Sequence, residues 1–162
     1  MSTIKFRGKT ELTGEWVYGF FTMGSSVRFE HPKQDERVVP RYLIDDGLLH
    51  DVIPETVGQF TGLTDRNGKE IYDGDIIQHR DVKVIVEFYR GAFGYTRLIQ
   101  HRVRIAPGAS NVVQEHVFIP FIGSDDNKYA LQFSDGTFFD TDFCKVVGNI
   151  HDSPELMKGV GQ

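Results

Sequence analysis

Phe88, Tyr89, Arg90, Phe93, Tyr95 and Arg97 interleave aromatic rings with guanidinium groups around Gly91 and Gly94. Flat rings offer stacking surfaces and arginines offer charge to phosphate, the composition of a platform for nucleotides or nucleic acid on a small β-barrel. Tyr89, Arg90, Phe93, Tyr95 and Arg97 are therefore the candidate ligand-binding set. The competing reading is a barrel core with a glycine-allowed bend, Phe88 and Phe93 pointing inward. Two further patterns set carboxylates two residues apart, Asp73-Gly74-Asp75 and Asp140-Thr141-Asp142, on one side of an extended backbone. Such pairs can join a metal site, or they can serve turns and strand edges.

Other chemistry fails on spacing. Gly8-Lys9-Thr10 would be the end of a phosphate loop, but Thr3 stands where that loop needs its first glycine. Gly108-Ala109-Ser110-Asn111-Val112 begins like a nucleophile elbow and lacks the closing glycine. Asp65 and Asn67 match the first and third positions of a calcium loop, yet Lys69, Glu70 and Ile76 occupy the fifth, sixth and twelfth. The six histidines form no His-Glu-x-x-His pattern and have no Cys-x-x-Cys pair beside them, so zinc has no ligand set. Cys144, the single cysteine, reads as a small buried hydrophobe rather than a nucleophile. No catalytic residue, metal or cofactor is expected, and a metal-dependent enzyme built on Asp73, Asp75, Asp140 or Asp142 ranks last among the functional readings.

The elements that must position the aromatic set are strands. Seventeen glycines, twenty aromatic residues and turn signals every ten or so positions describe a mainly β chain of short strands. Val82, Val84, Val86 and Phe88 alternate with Lys83, Ile85, Glu87 and Tyr89, which predicts a strand over Val82–Tyr89 with two partly apolar faces. Trp16, Tyr18 and Phe20 give another strand an aromatic face. Asn67-Gly68 and Asp135-Gly136 mark turns, and Lys145–Ile150 reads as a closing strand. Residues 24–42 show no period and read as a long connection. Ser153-Pro154-Glu155-Leu156 predicts one short C-terminal helix.

The whole chain has 162 residues with 18 Lys+Arg against 23 Asp+Glu, a net charge of −5 that excludes a domain-wide basic footprint. Arg97, Arg102, Arg104 and His101 make one local positive segment, which a solvated hairpin explains equally well. A lone cysteine excludes an intramolecular disulfide, and neither an export signal nor an apolar run of membrane-spanning length is visible. A soluble protein of the cytoplasm, with no membrane partner, is the expectation.

Pro54-Glu55-Thr56-Val57-Gly58-Gln59-Phe60-Thr61-Gly62-Leu63 leads into Asp65, Asn67-Gly68-Lys69-Glu70-Ile71-Tyr72 and Gly74-Asp75-Ile76-Ile77. With Ile4–Lys9, Gly14–Gly19, Val147–Ile150 and Ser153–Leu156, these motifs resemble the YopX family of phage and prophage proteins. The resemblance implies a β-rich fold with an SH3-like barrel from about Gly58 onward, encoded by a mobile element and working in the bacterial cytoplasm. It implies no catalytic residues. The shared motifs read as fold devices, with turns at Gly62, Asp65, Asn67, Gly68, Asp73, Gly74 and Asp75 and a bend or close approach at Gly148, and Gly136 adds a hairpin turn outside them. The expected organisation is a β-rich N-terminal segment over 1–57, then a small barrel over 58–162 carrying an inserted hairpin at about 97–121. The leading functional expectation is a non-enzymatic module that binds a protein, itself included, as a homo-oligomer. The runner-up is a small nucleic-acid-binding module.

Overall fold

The computed structural model describes residues 4–30, 35–80, 82–106, 109–121, 130–132, 138–140 and 144–157. The protein is mainly β, and every strand pairing described is antiparallel. The chain divides into two compact units between Phe60 and Thr61.

In the first unit, β1 (Phe6–Lys9), β2 (Trp16–Glu30), β3 (Asp35–Asp45), β4 (Leu49–Asp51) and the start of β5 (Gly58–Thr64) lie in the order β4-β3-β2-β1-β5. Phe6 faces Phe21 at 5.4 Å and Phe21 faces Tyr42 at 6.3 Å, beside the buried Ile44 and Val52. A Cβ on Gly8 would lie 3.1 Å from Val52, so the strand passes close over that core. Residues 24–30 and 35–42 are strand rather than connection, and β2 and β3 pair from Phe20↔Asp45 to Glu30↔Asp35. The sequence conceals this because Gly24, Ser25 and Ser26 and the proline at position 40 disturb the alternation, whereas backbone pairing needs no side-chain period.

The second unit carries β7 (Asp75–His79), β8 (Val82–Tyr89), β9 (Ala92–Ala106), β10 (Ala109–Pro120) and β13 (Lys145–Asn149) in the order β10-β9-β8-β7-β13. The rest of β5 runs beside β6 (Glu70–Tyr72), where the Thr61 hydroxyl donates to the Ile71 carbonyl at 2.9 Å. β11 (Ala130–Gln132) and β12 (Phe138–Asp140) form a separate pair with Leu131 opposite Phe139. The period-two pattern sends Val84 and Val86 inward to join Leu63, Ile71, Ile77, Tyr95, Cys144 and Val146 in one buried cluster. The predicted C-terminal helix is a single 3₁₀ turn, Pro154–Met157, closed by the Leu156 N–H on the Ser153 carbonyl. Capping signals start a turn, but Lys158-Gly159 follows at once, and glycine is a poor helix former.

One carboxylate ties distant parts of this unit together. Asp65, between β5 and β6, accepts the N–H of Asn67 at 2.7 Å and of Lys69 at 3.0 Å on one oxygen. Its other oxygen accepts the Val146 N–H of β13 at 3.0 Å. The same loop carries a β-turn in which the Gly68 N–H reaches the Asp65 carbonyl. Burial works to raise the carboxyl's pKa, and the N–H groups of Val146, Lys69 and Asn67 outweigh it, leaving the group below its usual range. Gly148 permits another close approach, since a Cβ there would lie 2.5 Å from the Ser153 Oγ and 3.0 Å from the Leu156 side chain.

Two outcomes are expected. Asp65→Asn places an N–H donor against the Val146 N–H and destabilises by about 1–3 kcal/mol in urea unfolding. Because the folded pKa is depressed, Asp65 stabilises above the unfolded value of about 3.9, and that contribution disappears as pH falls through the folded value. The wild-type thermal midpoint should therefore drop below about pH 4, and the Asp65→Asn curve should be flatter there. Gly148→Ala should cost about 1–3 kcal/mol by the same unfolding measurement, as overpacking against Ser153 and Leu156.

Candidate functional site

The β8–β9 hairpin turns through Arg90 and Gly91, both at positive φ (52° and 86°), the pairing of angles that matches the twist of two adjoining strands. Register then sorts the aromatic set onto two faces. Phe88 is opposite Phe93, with centroids 4.8 Å apart, on the face that holds Val86 and the fully buried Tyr95. Tyr89 is on the other face, half exposed, 5.2 Å from the Phe118 ring of β10. The Arg90 guanidinium lies 5.2 Å from the Tyr89 centroid, a cation on the face of an exposed ring.

The five sequence candidates are thus not one platform. Tyr89 and Arg90 come together on the outer face. Phe93 backs onto Phe88 at the rim of the core, and Tyr95 is core. Arg97 pairs with Val117 at a register position on the face of Tyr95. Phe118 was missed because 29 residues separate it from Tyr89, and only the β9–β10 register brings them together. Among the other positions, Asp73 accepts the Phe88 N–H at 3.2 Å and Asp75 the Tyr72 N–H at 2.8 Å, so both carboxylates bond to backbone. Gly62, Gly68 and Gly74 have positive φ, Gly148 is in β13, and Gly136 lies outside the described residues. Asp140 is in β12, and Asp142 also lies outside the described residues. No three His, Cys, Asp or Glu side chains gather as a metal site among the described residues.

The first unit offers a second surface. β1 pairs Arg7 with Tyr18 and Lys9 with Trp16 of β2, and Lys5 lies just before it. Lys5 lies 5.8 Å from the Tyr18 centroid, and Arg7 and Lys9 lie 4.7 and 5.5 Å from that of Trp16. At the end of this ladder a groove of about 480 Å³ is floored by Ile4, Tyr18 and Phe20, with Lys5 on one wall and Asp45 and Asp46 on the other. Ile4 is 62% exposed, Tyr18 43% and Phe20 61%. The Leu48 N–H and then His50 hold the Asp46 carboxyl below the usual carboxylate range, so that wall stays negative. The alternation of Trp16, Tyr18 and Phe20 was legible in sequence; the basic strand facing it was not.

Arg90 occupies a left-handed conformation that costs an ordinary residue roughly 1–2 kcal/mol. Arg90→Asn, with a residue suited to that turn, should raise unfolding stability by about 0.5–1 kcal/mol. Equal or lower stability in urea would mean that the Arg90–Tyr89 contact outweighs the backbone strain.

No helix among the described residues is long and apolar enough to cross a membrane. No curated protein matches this sequence. A protein-family model described as YopX protein matches residues 5–158. That span is nearly the whole sequence, and the chain belongs to the YopX family.

Proposed function

We propose that this chain is a non-enzymatic accessory protein of a phage or prophage, working in the bacterial cytoplasm, that acts by binding and self-associates through the groove of its first unit. The observation that carries the reading is the run of exposed apolar side chains, Ile4, Tyr18 and Phe20, between a cationic and an anionic wall. Contiguous apolar surface of this kind marks contact sites. A two-fold interface needs a patch that complements itself, and here Lys5 of one copy can meet Asp45 or Asp46 of another across the paired rings. Fully burying such a side chain is worth about 1.5–3 kcal/mol, and association itself costs several, so a weak dimer results. The meander β7-β8-β9-β10 flanked by β13 supports an SH3-like barrel as the scaffold of the second unit.

Sedimentation at tens of micromolar protein should find a dimer, in the range where weak interfaces still populate. Phe20→Ser should leave a folded monomer. Lys5→Glu should do the same, and Lys5→Glu combined with Asp46→Lys should restore the dimer. A wild-type monomer at that concentration, or a dimer indifferent to Phe20→Ser, overturns the reading.

A further inference from the structure

The hairpin of β9 and β10 sorts its charges by face. From the pairing Thr96↔Phe118 outward, alternate positions fall with Tyr89: Leu98, Gln100, Arg102 and Arg104 on β9, and Ser110, Val112, Gln114 and His116 on β10. None of these is acidic. The single carboxylate in the two strands, Glu115, belongs to the opposite face, as does Arg97. Glu87, the acid of β8 on the Tyr89 face, accepts the Thr96 hydroxyl at 2.8 Å. One face therefore starts at the tilted Tyr89–Phe118 ring pair, with Arg90 at its turn and Glu87 bonded to Thr96 beside it, and continues along β9 and β10 through register positions that carry Arg102 and Arg104 and no acid, inside a chain whose net charge is −5.

We propose that this outer face of β8, β9 and β10 binds single-stranded nucleic acid, bases stacking at Tyr89 and Phe118 and phosphates following the basic positions Arg90, Arg102 and Arg104. Basic positions on a face that begins at the half-exposed Tyr89 ring complement a polyanion that carries flat bases. Same-face positions recur at about 6.7 Å along a strand, a spacing that lets successive basic positions follow the repeat of an extended polynucleotide. The duplex is a poorer fit, because its bases are stacked on one another and unavailable to the rings. This surface is independent of the groove proposed for self-association, and either proposal can fail alone.

The test is fluorescence anisotropy of a labelled mixed-sequence single strand of about 20 nucleotides, as DNA and as RNA, against the full chain. Binding is expected at 50 mM salt and should weaken about 20-fold by 200 mM if three phosphates are neutralised, from a slope of about −0.7 per phosphate. Tyr89→Ala should weaken it at least about fivefold, with Tyr89→Phe restoring it. Arg102→Gln with Arg104→Gln should weaken it and flatten the salt slope. Circular dichroism and the thermal midpoint check that each variant is folded. Tyr89 is half exposed, so its truncation spares the core. Phe20→Ser should leave binding unchanged. No anisotropy change at 50 mM salt overturns the proposal, as does binding unaltered by the Tyr89 and the paired arginine substitutions. Equal affinity for the duplex, or displacement by polyglutamate as effective as that by unlabelled strand, also overturns it.

Discussion

Three backbone N–H groups from two places in the chain converge on one carboxylate, Asp65, and the second unit depends on that convergence. Asn67 and Lys69 are its neighbours in the loop, whereas Val146 is 81 residues away. A neutral side chain has too few acceptor sites in the right places, while an ionised carboxylate takes several N–H groups and gains strength from its charge. The bond to Val146 fixes β13 against the loop between β5 and β6, and Val146 and Cys144, two residues before it, enter the core with Leu63 and Ile71. Asp75 likewise accepts a backbone N–H locally, from Tyr72, and Asp73 accepts one from Phe88, 15 residues away. Carboxylates committed to backbone in this way are positioned for folding rather than for gripping a ligand.

Given that anchored core, the surfaces follow from parity. Two residues at positive φ close the β8–β9 hairpin, and because side chains alternate, the turn decides which ring of each adjoining pair is inside. Tyr95 and Tyr89 are both tyrosines six residues apart, yet one is core and the other half exposed. The stretch from Phe88 to Arg97 mixes residue types because its positions alternate between the face of Val86 and Tyr95 and the face of Tyr89.

In the first unit the same alternation produces an aromatic row on β2 and a basic row on β1, held side by side by four register pairs. Cations rest over Trp16 and Tyr18, and Phe20, at the end of the row, is exposed. Cation–aromatic contacts are worth about 0.5–1 kcal/mol at exposed sites and about 2 kcal/mol when desolvated, so the buried Arg7 over Trp16 contributes more than Lys5 or Lys9.

Local signals determined much of this. Alternating valines defined β8 to the residue, the Asn-Gly pair located the turn after Asp65, and the aromatic period showed one face of β2. The missing motifs removed the common nucleophile and zinc arrangements from consideration. What needed tertiary structure was everything that depends on pairing between distant segments: the strand nature of residues 24–30 and 35–42, the meeting of Tyr89 with Phe118, the separation of Tyr95 and Arg97 from Tyr89, and the basic row opposite Trp16. The physical reason is that a strand's period fixes the relation between its own neighbours, while register, set by turns and by contacts such as Asp65 with Val146, fixes which strand it lies beside.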